Sequence, residues 1–173
     1  MNKKIYSLCM GLLLFAAVTS CDSEVDPGGT ATQNLSGEWF VKVEILDEGE
    51  RFDVTELWLG VERILVSTYN TAANIPTEIF VDDNSNFWDF KGKVKADATN
   101  FVFGSADIIT NLQYESQFII TDGKVLNGVG HSKTGVVTDS IMFTIKFNDD
   151  DPEWGTEYYF SGHRRTGFIE DEY

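Results

Sequence analysis

Few residues of this chain are of types that do chemistry, and their spacing limits what that chemistry could be. The two histidines are His131 and His163, and neither has a partner at metal-ligand spacing on one strand face. The histidines therefore imply no metalloenzyme centre, and the sequence implies no cofactor. Ser161-x-His163 puts a hydroxyl and an imidazole on one face of a strand, about 7 Å apart, too far for a direct nucleophile–base hydrogen bond. The Gly-x-Ser-x-Gly turn of serine hydrolases is absent. Ser132, Ser140 or Ser161 could still meet a histidine and an aspartate across the sequence, so an esterase-like hydrolase stays as an alternative with no catalytic residue assigned. Asp149-Asp150-Asp151-Pro152-Glu153 and Asp82-Asp83-Asn84 are oxygen-rich stretches that could hold Ca²⁺ or simply be solvated hairpin tips; neither has EF-hand spacing.

A second constellation is built for packing and binding. Gly37-x-Trp39 opens a strand, the glycine allowing a sharp turn into it and the indole large enough to plug the narrow end of a barrel. Near the other end of the chain Tyr158, Phe160 and Gly162 share parity with Arg164, which is thereby expected to point inward, with Arg165 facing solvent. The early Gly-x-Trp and late arginine together resemble the calycin arrangement, which implies that Arg164 packs across Trp39. An aromatic and aliphatic set, Trp39, Trp88, Phe90, Phe118, Ile120, Phe143, Ile145 and Phe160, is expected to face the interior. Such a set could line a ligand-binding lumen or pack as a solid core.

These residues need strands to position them. Val-, Ile- and Phe-rich runs separated by Asn, Asp and Gly, with only 3 Pro, predict an all-β domain of eight or nine strands. The expected strands begin at about 38–46. A long apolar stretch from Val54 to Tyr69 follows, and its parity shift near Gly60 to Arg63 reads as a bulge, a hairpin or a short amphipathic helix. The clearest alternation is Trp88, Phe90, Gly92, Val94 and Ala96 against Asp89, Lys91, Lys93, Lys95 and Asp97, a half-buried antiparallel strand. Asp122-Gly123 between two apolar runs predicts a two-residue hairpin. Tight connections without crossover helices fit an up-and-down antiparallel barrel or a sandwich. The barrel is preferred, because closure removes edge strands.

Ahead of this domain, residues 1–20 carry Lys3 and Lys4, an apolar run from Leu12 to Val18 and small residues before Cys21, the pattern of a removed signal peptide. Val18-Thr19-Ser20-Cys21 resembles a bacterial lipobox, which implies that Cys21 is lipidated and becomes the first mature residue. Residues 21–34, acidic and then Gly-rich, read as a flexible tether, and 35–173 as the single barrel domain. The acidic start, Asp22 to Asp26, also resembles the export signal of surface lipoproteins of Bacteroidetes-type bacteria. The expected place is the outer membrane, lipid-anchored and open to the cell surface. Cys9 leaves with the leader, so the mature domain has no free thiol and no disulfide. It also loses Lys3 and Lys4, and 11 basic against 28 acidic residues give a formal charge of −17. That balance excludes nucleic acid as a natural partner and keeps the domain soluble beside an anionic membrane.

Several stretches resemble one family. Ser140-Ile141-Met142-Phe143 through Asp149-Asp150, and above all Ser161-Gly162-His163-Arg164-Arg165-Thr166-Gly167-Phe168, are similar to the lipid-binding putative hydrolase family of small calycin-like, or lipocalin-like, lipoproteins. The likeness extends to Leu65 through Ala72, Asp83 through Trp88 and Thr121 through Leu126. It implies a calycin-like barrel and a lipid-like ligand, while no catalytic motif transfers residue by residue. Binding of a lipid-like or other apolar small molecule in the lumen is the expected function. A filled-barrel scaffold, working with protein partners in a surface complex, is the alternative.

Overall fold

The computed structural model describes residues 28–47 and 50–173. The leader, Cys21 and the acidic part of the tether lie outside the described residues. Nine strands form one antiparallel sheet: β1 (Gly37–Asp47), β2 (Glu50–Asp53), β3 (Ile64–Asn70), β4 (Glu78–Asp82), β5 (Lys91–Asp97), β6 (Val102–Thr110), β7 (Gln117–His131), β8 (Val137–Phe147) and β9 (Tyr158–Arg164). Pairing runs β2-β1-β3-β4-β5-β6-β7-β8-β9, and β9 pairs back onto β1. The result is an eight-stranded closed up-and-down barrel, with β2 as an extra strand. β1 pairs with β3 through Gly37–Val41 and then with β2 through Glu44–Asp47, so β2 extends the wall beyond the point where β3 begins.

Alternation decides which side chains fill the barrel. Trp39, Val41 and Val43 of β1 are fully buried, as are Ile79 and Val81 of β4 and Ile141, Ile145 and Phe147 of β8, while Glu38, Lys93 and Lys95 stand outside. Burial of this set supplies the main stabilisation of the fold. Gly92 faces inward, and a Cβ there would stand 2.5 Å from the Phe118 ring and 2.6 Å from Ile109. The glycine is the notch into which those two side chains fit.

Two sequence expectations are revised and one is resolved. Of the bulge, the hairpin and the short helix open for the stretch from Val54 to Arg63, the structure has the short helix. It is a one-turn π-helix, Thr55–Leu59, ended by Gly60 in the left-handed conformation, and it leaves Leu57 75% exposed. Its hydrophobicity is divided: Val54 is buried in the core and Leu59 packs against it, while Leu57, Trp58 and Val61 face outward at one barrel end. Asp122-Gly123 is not a hairpin: β7 runs straight through it, pairing with β6 and β8 on either side. Asp122 adopts φ +55 as part of a bulge, between pairs Thr121–Thr144 and Lys124–Met142. Gly123 is required because a Cβ would meet the Phe103 ring at 2.5 Å. Finally, the folded body starts before Leu35. Residues 31–35 form a turn in which Thr32 is fully buried, and Ser36 Oγ donates to its carbonyl.

Candidate ligand-binding site

The end of the barrel from which β1 departs is sealed by a compact polar and aromatic layer. Trp39 is fully buried; its indole N–H donates to Thr68 Oγ1 at 2.8 Å, and Thr68 in turn donates to the Leu35 carbonyl at 2.5 Å. The Arg164 guanidinium lies 4.3 Å from the centre of the indole ring, opposite Trp39 in the β1–β9 register. It donates through Nη1 to the Ser36 carbonyl at 2.6 Å and through Nε to Asp139 Oδ2 at 3.1 Å. Gly37 serves a purpose other than a sharp turn: a Cβ there would collide with that guanidinium. Arg165 faces outward, bridging Glu38 and Glu172.

The interior is lined as the alternation requires and is occupied by its own rings. Phe90, Phe118, Ile120, Phe143, Ile145 and Phe160 are all buried. Phe143 and Phe160 stack at 4.7 Å, Phe90 lies 5.4 Å from Phe118 and 5.9 Å from Phe160, and Phe103 meets Phe143 at 5.8 Å. Such offset and edge contacts are those of a packed aromatic core.

Trp88 stands apart from the other expected lining residues. It precedes β5, in the loop 83–90, where it is only partly buried and stacks on Phe147 at 4.8 Å. Its N–H reaches Asp149 Oδ1 at 3.1 Å. With Phe87, Tyr158 and the π-helical Trp58, it closes the open end of the barrel. Phe87 packs edge-on against Phe160 at 5.5 Å from inside, and Trp58, 49% exposed, stacks on Phe87 from outside.

One buried carboxylate shapes this mouth. Asp83 accepts from the backbone N–H groups of Ser85, Phe87, Trp88, Asp89 and Phe90, all at 2.9–3.0 Å. Burial pushes its carboxyl above the ordinary range, against the pull of those donors. The sequence left Ca²⁺ or a solvated tip open here; the Asp83 carboxylate is neither exposed nor free, but acts as an internal anion around which the loop winds. Nor are the Asp149-Asp150 carboxylates unpartnered: Tyr114 and Tyr158 hydroxyls donate to them at 2.5 and 3.1 Å. Burial, and then the Asp150 charge, pushes the Tyr158 hydroxyl up to about 12.

Of the residues considered for catalysis, His163, Ser140 and Ser132 are committed to structural bonds. His163 is buried, which holds its imidazole below the usual value and therefore neutral at pH 7. Nδ1 faces the Arg164 carbonyl at 3.0 Å and so must carry the proton, leaving Nε2 to accept from the Tyr173 hydroxyl at 3.0 Å. Ser140, its neighbour across the β8–β9 pair, donates to the Gly162 carbonyl instead. Ser132 serves the β7–β8 turn, accepting from the Val136 N–H. His131 is exposed at the end of β7.

Sequence reading missed a feature in the wall. β5 and β6 pair only through Ala96–Phe103 and Asp97–Val102. Beyond that point β6 is bulged against β7, with register shifts between Phe103 and Ser105 and again between Ser105 and Ile109. A groove of about 820 Å³ opens along the diverging strands, bounded by Phe80, Lys93, Lys95, Ile108 and Leu112, with Val94 and Ile109 among its lining. Its one sequence signal is Gly104, a lone glycine within a strand.

The search of curated proteins found no match. A family model described as lipid-binding putative hydrolase matches residues 24–169. That span takes in every strand of the barrel, and family and fold together support an apolar, lipid-type ligand. On that match, the chain belongs to the lipid-binding putative hydrolase family.

Proposed function

We propose that this protein is a lipid-anchored protein of the cell envelope that binds a lipid-like or other apolar small molecule with its barrel domain. The family match across the barrel carries the ligand class. The location rests on the sequence alone: a signal-like leader, a lipobox-like Val18-Thr19-Ser20-Cys21, and an acidic stretch after the cysteine that suits an outer-membrane lipoprotein exposed at the surface. Acylated Cys21 is the membrane contact, since two or three chains, each methylene contributing about 0.8 kcal/mol, hold far better than one.

The expected lumen set is Trp39, Trp88, Phe90, Phe118, Ile120, Phe143, Ile145 and Phe160. Its phenylalanine rings touch one another and Trp88 stacks on Phe147, so a ligand taken into the lumen has to displace them, starting at the Trp58–Phe87 mouth. The same packing favours a second reading, a filled-barrel scaffold that meets protein partners at the cell surface.

Native mass spectrometry of the full-length protein with fatty acids, lysolipids and sterols separates the two. A saturable adduct with one of these classes is expected; no adduct with any of them leaves the scaffold. The anchor is tested by Cys21→Ser, which should move the protein from the membrane to the soluble fraction. Undiminished membrane association of that variant would show that the anchor lies elsewhere.

A further inference from the structure

The groove between β5 and β6 is open without any ring moving, unlike the barrel interior. Resting on the lipid-binding reading above, we infer that this groove, rather than the lumen, seats the ligand, and that the ligand is a single-chain amphiphile with a carboxylate head, of the fatty-acid class.

The walls of the groove carry exposed apolar side chains. Ile108 is 59% exposed and Leu112 57% exposed, and both border one cleft together with Ala72 and Phe80. Scattered exposed apolar residues need no explanation, but several converging on one groove mark a binding surface. About 820 Å³ falls within the size range of small-molecule sites. Among the lining are two core residues, Val94, 1% exposed, and Ile109, 9% exposed. An alkyl chain lying there would continue the hydrophobic core through the gap in the wall.

Lysines at the rim favour an anionic head. Lys93 and Lys95 lie on the outer face of β5, about 7 Å apart, and both border the groove. They belong to a row with Lys91, so three of the chain's 13 Lys and Arg fall within five residues in a protein of net charge −15. Lys91 is committed to Asp82 and Lys93 to Glu78, which Thr71 also holds. Lys95 is different: its side chain is 73% exposed and its partner Asp107, across the divergence on β6, is 57% exposed. Exposed pairs of this kind hold each other weakly, so a carboxylate brought in by an apolar tail can take over Lys95. The tail then covers Ile108 and Leu112 while the head stays at the rim.

The test uses the full-length protein, with palmitate and hexadecanol as probes of equal tail and different head, measured by titration in native mass spectrometry. Wild type should take up one palmitate. Lys93→Gln/Lys95→Gln should weaken palmitate at least ten-fold and leave hexadecanol within about two-fold. Ile108→Glu/Leu112→Glu alters only exposed side chains and should abolish binding of both without changing the thermal midpoint. In spectra of isotope-labelled protein, palmitate should shift amides of 105–112 and 93–95 rather than those of Phe143 and Phe160. Undiminished uptake by the Ile108/Leu112 variant, or shifts confined to Phe143 and Phe160, would overturn the groove while leaving lipid binding intact. No uptake of either probe by wild type would remove the groove, and uptake of lysolipids or sterols alone would retain lipid binding without it.

Discussion

At the scale of single residues, the interior is defined by ring-to-ring contact. Phe143 stacks on Phe160 at 4.7 Å and lies 5.8 Å from Phe103, so extra volume at this position has nowhere to go. Phe143→Trp should therefore overpack the core and destabilise the protein by ~1–3 kcal/mol. Urea unfolding checks it; unchanged stability would indicate free space beside the ring. At the sealed end, the Trp39 indole is held by Thr68 below and Arg164 above. Trp39→Ala removes a fully buried side chain and should cost about 3–5 kcal/mol. A loss under about 1 kcal/mol in the same assay would show that the neighbouring chain collapses into the gap.

At the scale of elements, the irregularities of β6 and β7 shape the wall more than the regular pairing does. Gly104 sits at φ +100, and a Cβ there would stand 2.8 Å from the Ile120 carbonyl oxygen. Both features belong to the bulge that carries β6 away from β5. Gly104→Ala adds backbone strain and a clash, and a loss of ~1–3 kcal/mol is expected on chemical denaturation. If the variant is as stable as wild type, the bulge tolerates an ordinary residue and β6 could pair more fully with β5. The mouth loop follows the same logic with a different device: five backbone donors gathered on Asp83 fix Phe87, Trp88 and Phe90 without any regular structure.

For the whole molecule, acidity governs the response to pH. Burial pushes the Asp82 and Asp53 carboxyls up, but hydrogen bonds outweigh it, chiefly from Lys91 and Lys42 respectively, and hold both below the ordinary range. Burial pushes the Asp171 carboxyl up as well, but hydrogen bonds from Thr166 and Thr134 outweigh it and hold it below the ordinary range, the Thr134 bond tying the C-terminal segment to the β7–β8 turn. A carboxyl depressed by folding contributes stability that is complete above its unfolded value of about 4 and is lost as pH falls through the folded value. His163 acts in the same direction at higher pH: its lowered value makes protonation oppose folding once pH drops below about 6.5. Asp83, raised by burial, acts oppositely and offsets part of the loss. The thermal midpoint should decline gently from pH 7 to 5 and steeply from pH 4 to 3. A midpoint that is flat to pH 3 would mean that these carboxylates gain nothing from folding.

The sequence by itself determined the all-β class, the strand count and most of the inward set. Those follow from local alternation: Gly92, Val94 and Ala96 against Lys91, Lys93 and Lys95 can face a core in only one way. Only the tertiary structure decided what local pattern leaves ambiguous. Asp122-Gly123 reads as a hairpin until β6 and β8 are seen to flank it and hold the chain straight. The apolar stretch after Val54 reads equally as a bulge, a hairpin or a short helix until the π-helical turn Thr55–Leu59 is seen at the mouth. Whether aromatic side chains line a space or fill it depends on distances between strands far apart in sequence, as does the groove between β5 and β6. Alternation records which side of a strand faces inward, but not how closely that face approaches its neighbours across the barrel.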